Sequence, residues 1–257
     1  MKKLSILSMM LLLTIAATAQ ILNVTASGTT YQFPASQAGE MTFADGTSLT
    51  IMNKTFSISD ISEMSIGSGI PAGSSDVDDS TVKVVYSSSG ATVSVASDIA
   101  EYLTVAVSGA HVSIAQSDDL DTEITYNLSG SSDDGEFYMS GKYKATIELN
   151  GLTLTNTTPV YSGAAIHIQN GKRIKVKPVT GTTNTLTDAA SGSQKGCLYI
   201  KGHAEFAQKG TLNVVGNVKH GIKTGEYFTI KNATVNVTSA VGDGISRSEE
   251  RRVGKEC

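Results

Sequence analysis

The feature that most constrains this chain is a small residue followed by a large apolar one, a pair that returns at nearly regular intervals. The large members of the pair are Ile166, Leu198, Ile222 and Ile245, which are 32, 24 and 23 residues apart. The segments between them alternate apolar and polar residues, as in RIKVKP and TVNVTS, which is typical of strands with one buried face. A repeat of about 20–50 residues built from such segments indicates a solenoid.

Two further columns of apolar residues follow each pair, so each repeat contains three short strands. The second column comprises Ile174, Val176, Phe206, Phe228 and Ile230, and the third comprises Leu186, Leu212, Val214, Val235 and Val237. This pattern predicts an all-β fold, a right-handed single-stranded parallel β-helix whose coils stack at the strand spacing of about 4.8 Å. A β-sandwich also uses short alternating strands and is the alternative, but the register of three columns favours the helix. Within the 32-residue interval, TGTTNTLTDAASGSQ predicts a loop insertion.

The chain divides into five parts. We predict a signal peptide at residues 1–19, a small N-terminal β-rich module or cap at 20–70, a linker at 71–80, the parallel β-helix at 81–246 and an extraneous tail at 247–257. The linker, PAGSSDVDDS, has almost nothing to bury, and a solenoid needs a cap over its exposed end. Seven of the 11 tail residues are charged and the repeat stops where the tail begins, which predicts a β-helix truncated at its C-terminus. A native charged cap is the alternative interpretation.

The start of the chain, MKKLSILSMMLLLTIAATAQ, has the charged, apolar and small-residue parts of a secretory signal. Its apolar run is shorter than the ~20 residues of a membrane-spanning helix, which makes a membrane anchor the less favoured interpretation. We predict Sec-dependent export with cleavage after Ala19, a secreted, extracellular or cell-surface location, and no transmembrane segment.

Composition limits the partners of the chain. Lys and Arg number 20 against 24 Asp and Glu, a net charge of −4, which argues against a nucleic-acid partner because such proteins need a concentrated basic face. Cys197 is the only cysteine before the tail, so no disulfide is expected within the body of the chain. We expect a monomer in which Cys197 is a small buried residue.

Several motifs occur in a fixed order: KATIELNGLTLTN, GAAIHIQNGKRIKV, TTNTLTD, KGTLNVVGN, KHGIKT and GDGIS. Over roughly residues 80–246 the chain resembles the carbohydrate-binding-domain proteins of Bacteroidetes and clostridia, a parallel β-helix family related in shape to pectate lyases. The resemblance implies a protein that binds acidic plant polysaccharide such as pectin, with calcium in the structure.

Outward positions on the predicted coils supply candidate contacts to a polysaccharide. His167 and Tyr199 occupy equivalent outward places one coil apart, and Lys201 follows Tyr199 on the same strand. Lys175 and Lys177 share the outward face of the second strand of a coil. An aromatic residue with several lysines suits a chain of uronic acids, because ammonium groups pair with carboxylates. The alternative is a set of ordinary solvated residues on an exposed sheet.

Acidic residues at turns are candidate calcium ligands, because calcium binds 6 to 8 oxygen atoms. Asp188 and Asp243 follow the third strand of their coils, with Asn217 at the corresponding place between them. Two acidic runs, SDDLDTE and SDDGE, are further candidates. The alternative is turn chemistry, in which Asp and Asn bond to the nearby backbone.

Three functions remain open from the sequence. The preferred hypothesis is a non-catalytic protein that binds acidic polysaccharide, of the pectin or polygalacturonate kind, with assistance from calcium. A calcium-dependent polysaccharide lyase is the second, and it needs a basic residue to abstract a proton; Arg173 is the only arginine between the predicted signal peptide and the tail. A structural or adhesive solenoid that binds a protein is the third, consistent with the absence of Trp.

Overall fold

A computed structural model describes residues 20–35, 38–39, 41–67 and 79–247, which form an all-β protein. The predicted signal peptide, most of the predicted linker and all but the first residue of the predicted tail lie outside the described residues. In the described part, no helix is long and apolar enough to cross a bilayer.

The strands are short and most are joined by tight turns. They are β1 (Ile21–Ala26), β2 (Thr29–Pro34), β3 (Met41–Ala44), β4 (Ser48–Ile51), β5 (Lys54–Ser57), β6 (Ile61–Ile66), β7 (Thr81–Ser87), β8 (Gly90–Ala96), β9 (Leu103–Ser108), β10 (Ala110–Gln116), β11 (Ile124–Ser132), β12 (Gly135–Ser140), β13 (Ala145–Thr155), β14 (Ile166–Gln169), β15 (Ile174–Pro178), β16 (Thr183–Thr187), β17 (Gly196–Ile200), β18 (Ala204–Phe206), β19 (Thr211–Gly216), β20 (His220–Thr224), β21 (Phe228–Ile230), β22 (Thr234–Ala240) and β23 (Ile245–Arg247). A 3₁₀ helix, Ser97–Tyr102, joins β8 to β9.

The first ladder is a sheet of seven strands in the order β23, β20, β17, β14, β12, β10, β9. Its neighbours are parallel except β9 and β10, which form an antiparallel pair. The register pairs Ile166 with Leu198, Leu198 with Ile222 and Ile222 with Ile245, which confirms the stacking predicted from their spacing. The residue before Ile222 is glycine because space is short there: a Cβ on Gly221 would lie 2.5 Å from a methyl carbon of Val237.

The second and third ladders are also parallel from β11 onward. The second contains β7, β11, β13, β15, β18 and β21, and the third contains β13, β16, β19 and β22. The long strand β13 belongs to both, because residues 145–149 pair with β15 and residues 153–155 pair with β16. The register joins Val176 to Phe206 and Leu186 to Val214, as the apolar columns predict. Three consecutive strands, one in each ladder, are called a coil below.

The structure corrects the predicted loop insertion at TGTTNTLTDAASGSQ. Residues 183–187 of this segment form β16, with Leu186 buried, and only residues 188–195 are a loop between β16 and β17. The alternation of TNTLT places Asn184 and Leu186 on the buried face, so burial of this face outweighs the weak strand propensity of a Gly- and Thr-rich segment.

The N-terminal strands continue the second ladder rather than standing apart from it. Strand β2 is parallel to β8, β8 forms an antiparallel hairpin with β7, and β1 lies between β2 and β6. Strands β3, β4 and β5 form a separate antiparallel sheet. One cluster of buried apolar residues extends from Leu22 to Ile222, and each fully buried large side chain contributes about 1.5–3 kcal/mol to folding.

Candidate functional site

An outward row of rings runs across the first ladder. Tyr138, His167 and Tyr199 are direct partners in the register of β12, β14 and β17. The ring of His167 lies edge-to-face between the two tyrosines, with centroid distances of 4.9 Å to Tyr138 and 4.9 Å to Tyr199. These three residues, the aromatic row, stand outward because their neighbours in each strand are apolar and buried.

The loop of residues 156–165, which joins β13 to β14, adds a fourth ring. The ring of Tyr161 lies 5.4 Å from that of Tyr138 at an interplanar angle of 30°. The next residue, Ser162, places its Oγ 2.7 Å from Nδ1 of His167. The loop therefore contacts two of the three members of the aromatic row.

His167 is held in one orientation by hydrogen bonds at both ring nitrogens. Nδ1 contacts Ser162, and Nε2 lies 3.3 Å from Oε1 of Gln169. Burial lowers the pKa of His167 from its ordinary value, while the bond to Gln169 and the charge of Glu136 raise it by less. A neutral ring with its proton on Nε2 satisfies both contacts, since Ser162 then donates to Nδ1 and the ring donates to Gln169.

Two lysines lie at the end of the aromatic row. Lys223 is the partner of Tyr199 on β20, and Lys201 follows Tyr199 by two residues. Among the residues that the structure describes, neither lysine forms an ion pair. The aromatic row with Lys201 and Lys223, called the first-ladder face below, thus joins ring surfaces to two unneutralised positive charges.

Lys175 and Lys177 do not belong to this face. They lie outward on β15 in the second ladder, where Nζ of Lys175 is 2.9 Å from Oε1 of Glu123 and Nζ of Lys177 is 3.5 Å from Oε1 of Glu148. Glu123, the partner of Lys175, lies 52 residues earlier in the chain, immediately before β11. The structure therefore makes His167 and Tyr199 direct partners and separates them from the two lysines of β15. Lys201 was predicted on the same strand as Tyr199 but lies one residue beyond the end of β17.

Arg173, the candidate base of a lyase, immediately precedes β15, and its side chain is about half exposed. Its Nη1 is 3.8 Å from Oε2 of Glu205, a carboxylate that also accepts a hydrogen bond from Lys231 at 2.9 Å. The hydrogen bond from Lys231 is the main cause of the lowered pKa of Glu205. Arg173 is thus part of a surface ion-pair group on the second ladder, away from the aromatic row.

Two carboxylates of the run SDDGE hold the loop that carries Tyr161. Glu136 is 2% exposed, and its Oε1 accepts hydrogen bonds from the backbone N–H groups of Val160 and Tyr161, both at 2.7 Å. Asp134 accepts the backbone N–H groups of Thr157 and Thr158 at 3.0 and 2.8 Å.

Asp134 keeps its charge far into acid. Burial raises its pKa, but the hydrogen bonds from Thr158 and Thr157 outweigh burial and lower the pKa to about 2. These carboxylates therefore serve as acceptors for backbone groups 23 to 25 residues later in the chain, rather than for the backbone of their own turn.

The predicted calcium ligands Asp188 and Asp243 make different contacts. Asp188 is 1% exposed, accepts the backbone N–H of Asn217 at Oδ1, and leaves Oδ2 buried without a partner. Burial raises the pKa of Asp188. The carboxylate of Asp243 is exposed, with Oδ2 3.4 Å from Nδ1 of His220.

These contacts do not fit a calcium ion at this pair alone. Two carboxylates supply at most four oxygen atoms, and the backbone of Asn217 already occupies Oδ1 of Asp188, so the pair falls short of the 6 to 8 oxygen ligands that calcium takes. In the part of the chain that is described, no group of three or more His, Cys, Asp or Glu side chains is arranged to hold a metal ion. Cys197 is buried, as predicted, and burial raises the pKa of its thiol well above the ordinary value.

Sequence reasoning missed three residues of this site. Tyr138 and Lys223 occupy the same outward place as His167 and Tyr199, one coil before and one coil after, so the repeat itself was the signal that could have found them. Tyr161 lies in an irregular loop, TTPVYSGA, where alternation carries no information about direction. Its place depends on the contacts of Glu136, which the sequence does not reveal.

The region that contains the aromatic row is similar to known proteins. The model of a family described as carbohydrate-binding domain-containing protein matches residues 108–254, which include the whole aromatic row. A carbohydrate-binding domain-containing protein of Acetivibrio thermocellus is 28% identical over 122 residues, which make up 44% of this chain and 41% of that protein. The chain therefore spans less than half the length of this curated relative.

One solved structure was also found, that of a polysaccharide lyase-like protein from C. thermocellum, a gadolinium derivative. It has 24% sequence identity and a TM-score of 0.49, and the alignment covers 60% of this chain and 61% of that one.

Proposed function

We propose that this chain, which belongs to the family of carbohydrate-binding domain-containing proteins, binds polysaccharide on its first-ladder face. The observation that carries the proposal is the aromatic row, whose rings repeat at 4.9 Å and end beside two lysines without ion-pair partners. The proposed ligand is an acidic polysaccharide of the pectin or polygalacturonate kind.

The chemistry of the row suits a sugar polymer. Tyrosine and histidine present an apolar ring with a polar tip, so one side chain covers the C–H surface of a sugar and also hydrogen-bonds to its hydroxyl groups. The ammonium groups of Lys201 and Lys223 form charge-assisted hydrogen bonds with uronate carboxylates. A ligand that lies along the row meets the rings first and the lysines at the later coils.

We also propose the finer architecture and location that the sequence predicts: a right-handed parallel β-helix, exported by its N-terminal signal to the cell surface or the medium. The support is the parallel pairing of three ladders over successive coils and the three-part composition of residues 1–19. A requirement for calcium stays a prediction, although Asp188 and Asp243 by themselves supply too few oxygen ligands for the ion.

The test is affinity electrophoresis of the full chain through native gels that contain polygalacturonate, pectin, cellulose or xylan, with calcium and then with chelator. We expect retardation by polygalacturonate and pectin, and loss of that retardation in a Tyr138→Ala, Tyr199→Ala double variant. Retardation that survives in this variant while its fold is intact by circular dichroism would place the ligand elsewhere on the molecule.

Two further readouts separate the alternatives. Loss of retardation with chelator would support a calcium-assisted mode, and equal retardation would remove calcium from the proposal. Accumulation of unsaturated uronate ends during incubation would replace a binding protein with a lyase. No retardation by any of the four polymers would contradict the proposed function.

A further inference from the structure

Glu136 occupies an unusual position on the first ladder. It lies on β12 two residues before Tyr138, on the same side of the strand, yet it is 2% exposed because the loop of residues 156–165 covers it. A buried carboxylate is costly unless hydrogen bonds satisfy both of its oxygens.

Four donors meet this carboxylate. Oε1 accepts the backbone N–H groups of Val160 and Tyr161, both at 2.7 Å, and lies 3.1 Å from Nδ1 of His111. Oε2 accepts the side-chain amide of Asn156 at 2.8 Å. Two of the four donors belong to the loop backbone at and next to Tyr161, so the position of the carboxylate fixes the path of the chain there.

We infer that Glu136 is a positioning residue for the polysaccharide site: its buried carboxylate holds the loop so that Tyr161 packs on Tyr138 and Ser162 contacts His167. This inference rests on the proposed function. Glu136 does not reach the ligand itself; it acts through the ring of Tyr161, 5.4 Å from Tyr138, and through the hydroxyl of Ser162, 2.7 Å from His167.

Asp134 supports the same loop from its other end. Its Oδ1 accepts the N–H groups of Thr157 and Thr158, and Nε2 of His111 lies 3.7 Å from the same oxygen. The loop is thus bound through backbone N–H groups at four positions, 157, 158, 160 and 161. An apolar residue at position 136 could fill the same volume, but it could not accept two backbone N–H groups at once, so burial alone does not account for a carboxylate here.

The first test compares Glu136→Gln with the wild-type chain in binding to polygalacturonate. Glutamine keeps the shape but replaces one acceptor oxygen by an NH₂ donor and removes the charge, so the loop loses part of its anchor. We expect affinity to fall about tenfold, because a buried acceptor that serves several donors cannot be replaced without leaving some unpaired. Glu205→Gln, on the second ladder, is the matched control and should leave affinity unchanged.

A double-mutant cycle distinguishes positioning from general destabilisation. In the Tyr161→Ala background, we expect the fold loss of affinity caused by Glu136→Gln to be less than half of that in the wild-type chain. The reason is that the ring which Glu136 positions is already absent. Equal fold losses in the two backgrounds would overturn the inference while leaving the proposed function intact.

A spectroscopic readout tests the same contact without ligand. With fluorotyrosine incorporated, the ¹⁹F signals of Tyr161 and Tyr138, assigned by their absence in Tyr161→Phe and Tyr138→Phe, should shift in Glu136→Gln while that of buried Tyr31 stays unchanged. Unshifted signals would overturn the inference. Should Glu136→Gln not fold, Asp134→Asn, which alters an exposed carboxylate, takes its place with a smaller expected shift of the Tyr161 signal in the same direction. A wild-type chain that binds no polysaccharide would remove the proposed function and this inference together.

Discussion

The outward faces of the first and second ladders are built by the same alternation, yet they differ in chemistry. On the first-ladder face, rings follow one another from coil to coil, and Lys201 and Lys223 have no ion-pair partner in the described structure. On the second-ladder face, which we define as the outward residues of β11, β13, β15, β18 and β21 together with the residues next to the ends of these strands, basic side chains lie beside carboxylates of other coils.

Four ion pairs neutralise the second-ladder face. They join Lys175 to Glu123, Lys177 to Glu148, and both Arg173 and Lys231 to Glu205. The comparison shows that alternation within a strand decides which side chains point outward, whereas the side chains of other coils decide whether an outward charge is available to a ligand. Four experiments test this difference, starting with the largest expected effect.

Removal of rings from the first-ladder face should have the largest effect on binding. We expect Tyr199→Ala to weaken binding to polygalacturonate by about 30-fold, the loss of roughly 2 kcal/mol typical of a central aromatic contact. Affinity electrophoresis measures the loss. Tyr227→Ala, which removes an exposed ring that packs on His203 outside the row, is the control; a similar loss in both variants would mean that the row is not the site.

Charge removal should separate the two faces. We expect Lys201→Gln with Lys223→Gln to weaken binding about three- to tenfold and to reduce its dependence on salt, because exposed charges act on an acidic polymer through screened attraction. Lys175→Gln with Lys177→Gln removes the same charge from the second-ladder face and should leave affinity unchanged. Equal effects would mean that net charge alone attracts the polymer.

The pH dependence of binding should follow His167. Because burial lowers its pKa, the ring is neutral at pH 7 and gains its proton only as the pH falls below the ordinary value of about 6.5. The positive ring favours a uronate, so affinity for polygalacturonate should increase about two- to fivefold between pH 7.5 and pH 5.5. His167→Asn should abolish the increase, and a persistent increase in that variant would assign it to another group.

As the pH falls, the free energy of unfolding should decrease while the affinity increases. A histidine whose folded pKa is below its unfolded pKa stabilises the fold above the unfolded pKa, and this contribution is lost as the pH falls through the folded pKa. The anchor at Asp134 does not titrate in this window, since its pKa is about 2. Thermal unfolding over the same pH range therefore provides a check that the gain in affinity does not come from a more stable protein.

The ion pairs of the second-ladder face should have the smallest effect. Glu123 has a lowered pKa: burial raises it, but the hydrogen bonds from Lys175 and Thr146 and the charge of Lys175 outweigh burial. Since the pair is about one-third exposed, we expect Lys175→Met to change the free energy of unfolding by under about 1 kcal/mol. Urea denaturation measures the free energy of unfolding. A decrease of several kcal/mol would mean that the ion pairs of the second-ladder face are needed to hold the fold together.

The sequence was sufficient to predict the coils because one physical rule, burial of alternate residues, repeats in every strand. The register of Ile166, Leu198 and Ile222 follows directly from that rule. The same rule places His167 and Tyr199 in one row.

The remainder of the site depends on contacts that the repeat does not encode. The pairing of Lys175 with Glu123 joins residues 52 apart, and the path of the loop at Tyr161 depends on a carboxylate that looks in the sequence like a calcium ligand or an ordinary turn residue. Asp188 likewise follows its strand as the pattern predicts, but one of its two carboxylate oxygens accepts the backbone N–H of Asn217.

The equal distances on the two sides of His167 have a consequence for how such a surface changes in evolution. The ring centres are 4.9 Å apart, close to the spacing of about 4.8 Å at which hydrogen bonds hold neighbouring strands. Each coil therefore adds one outward residue to the row. Duplication of a single repeat would lengthen the recognised stretch of polymer by one strand spacing, and deletion would shorten it by the same distance. The length of the recognised ligand and its chemical identity can thus change separately in evolution, the first through the number of repeats and the second through the outward residue of each coil.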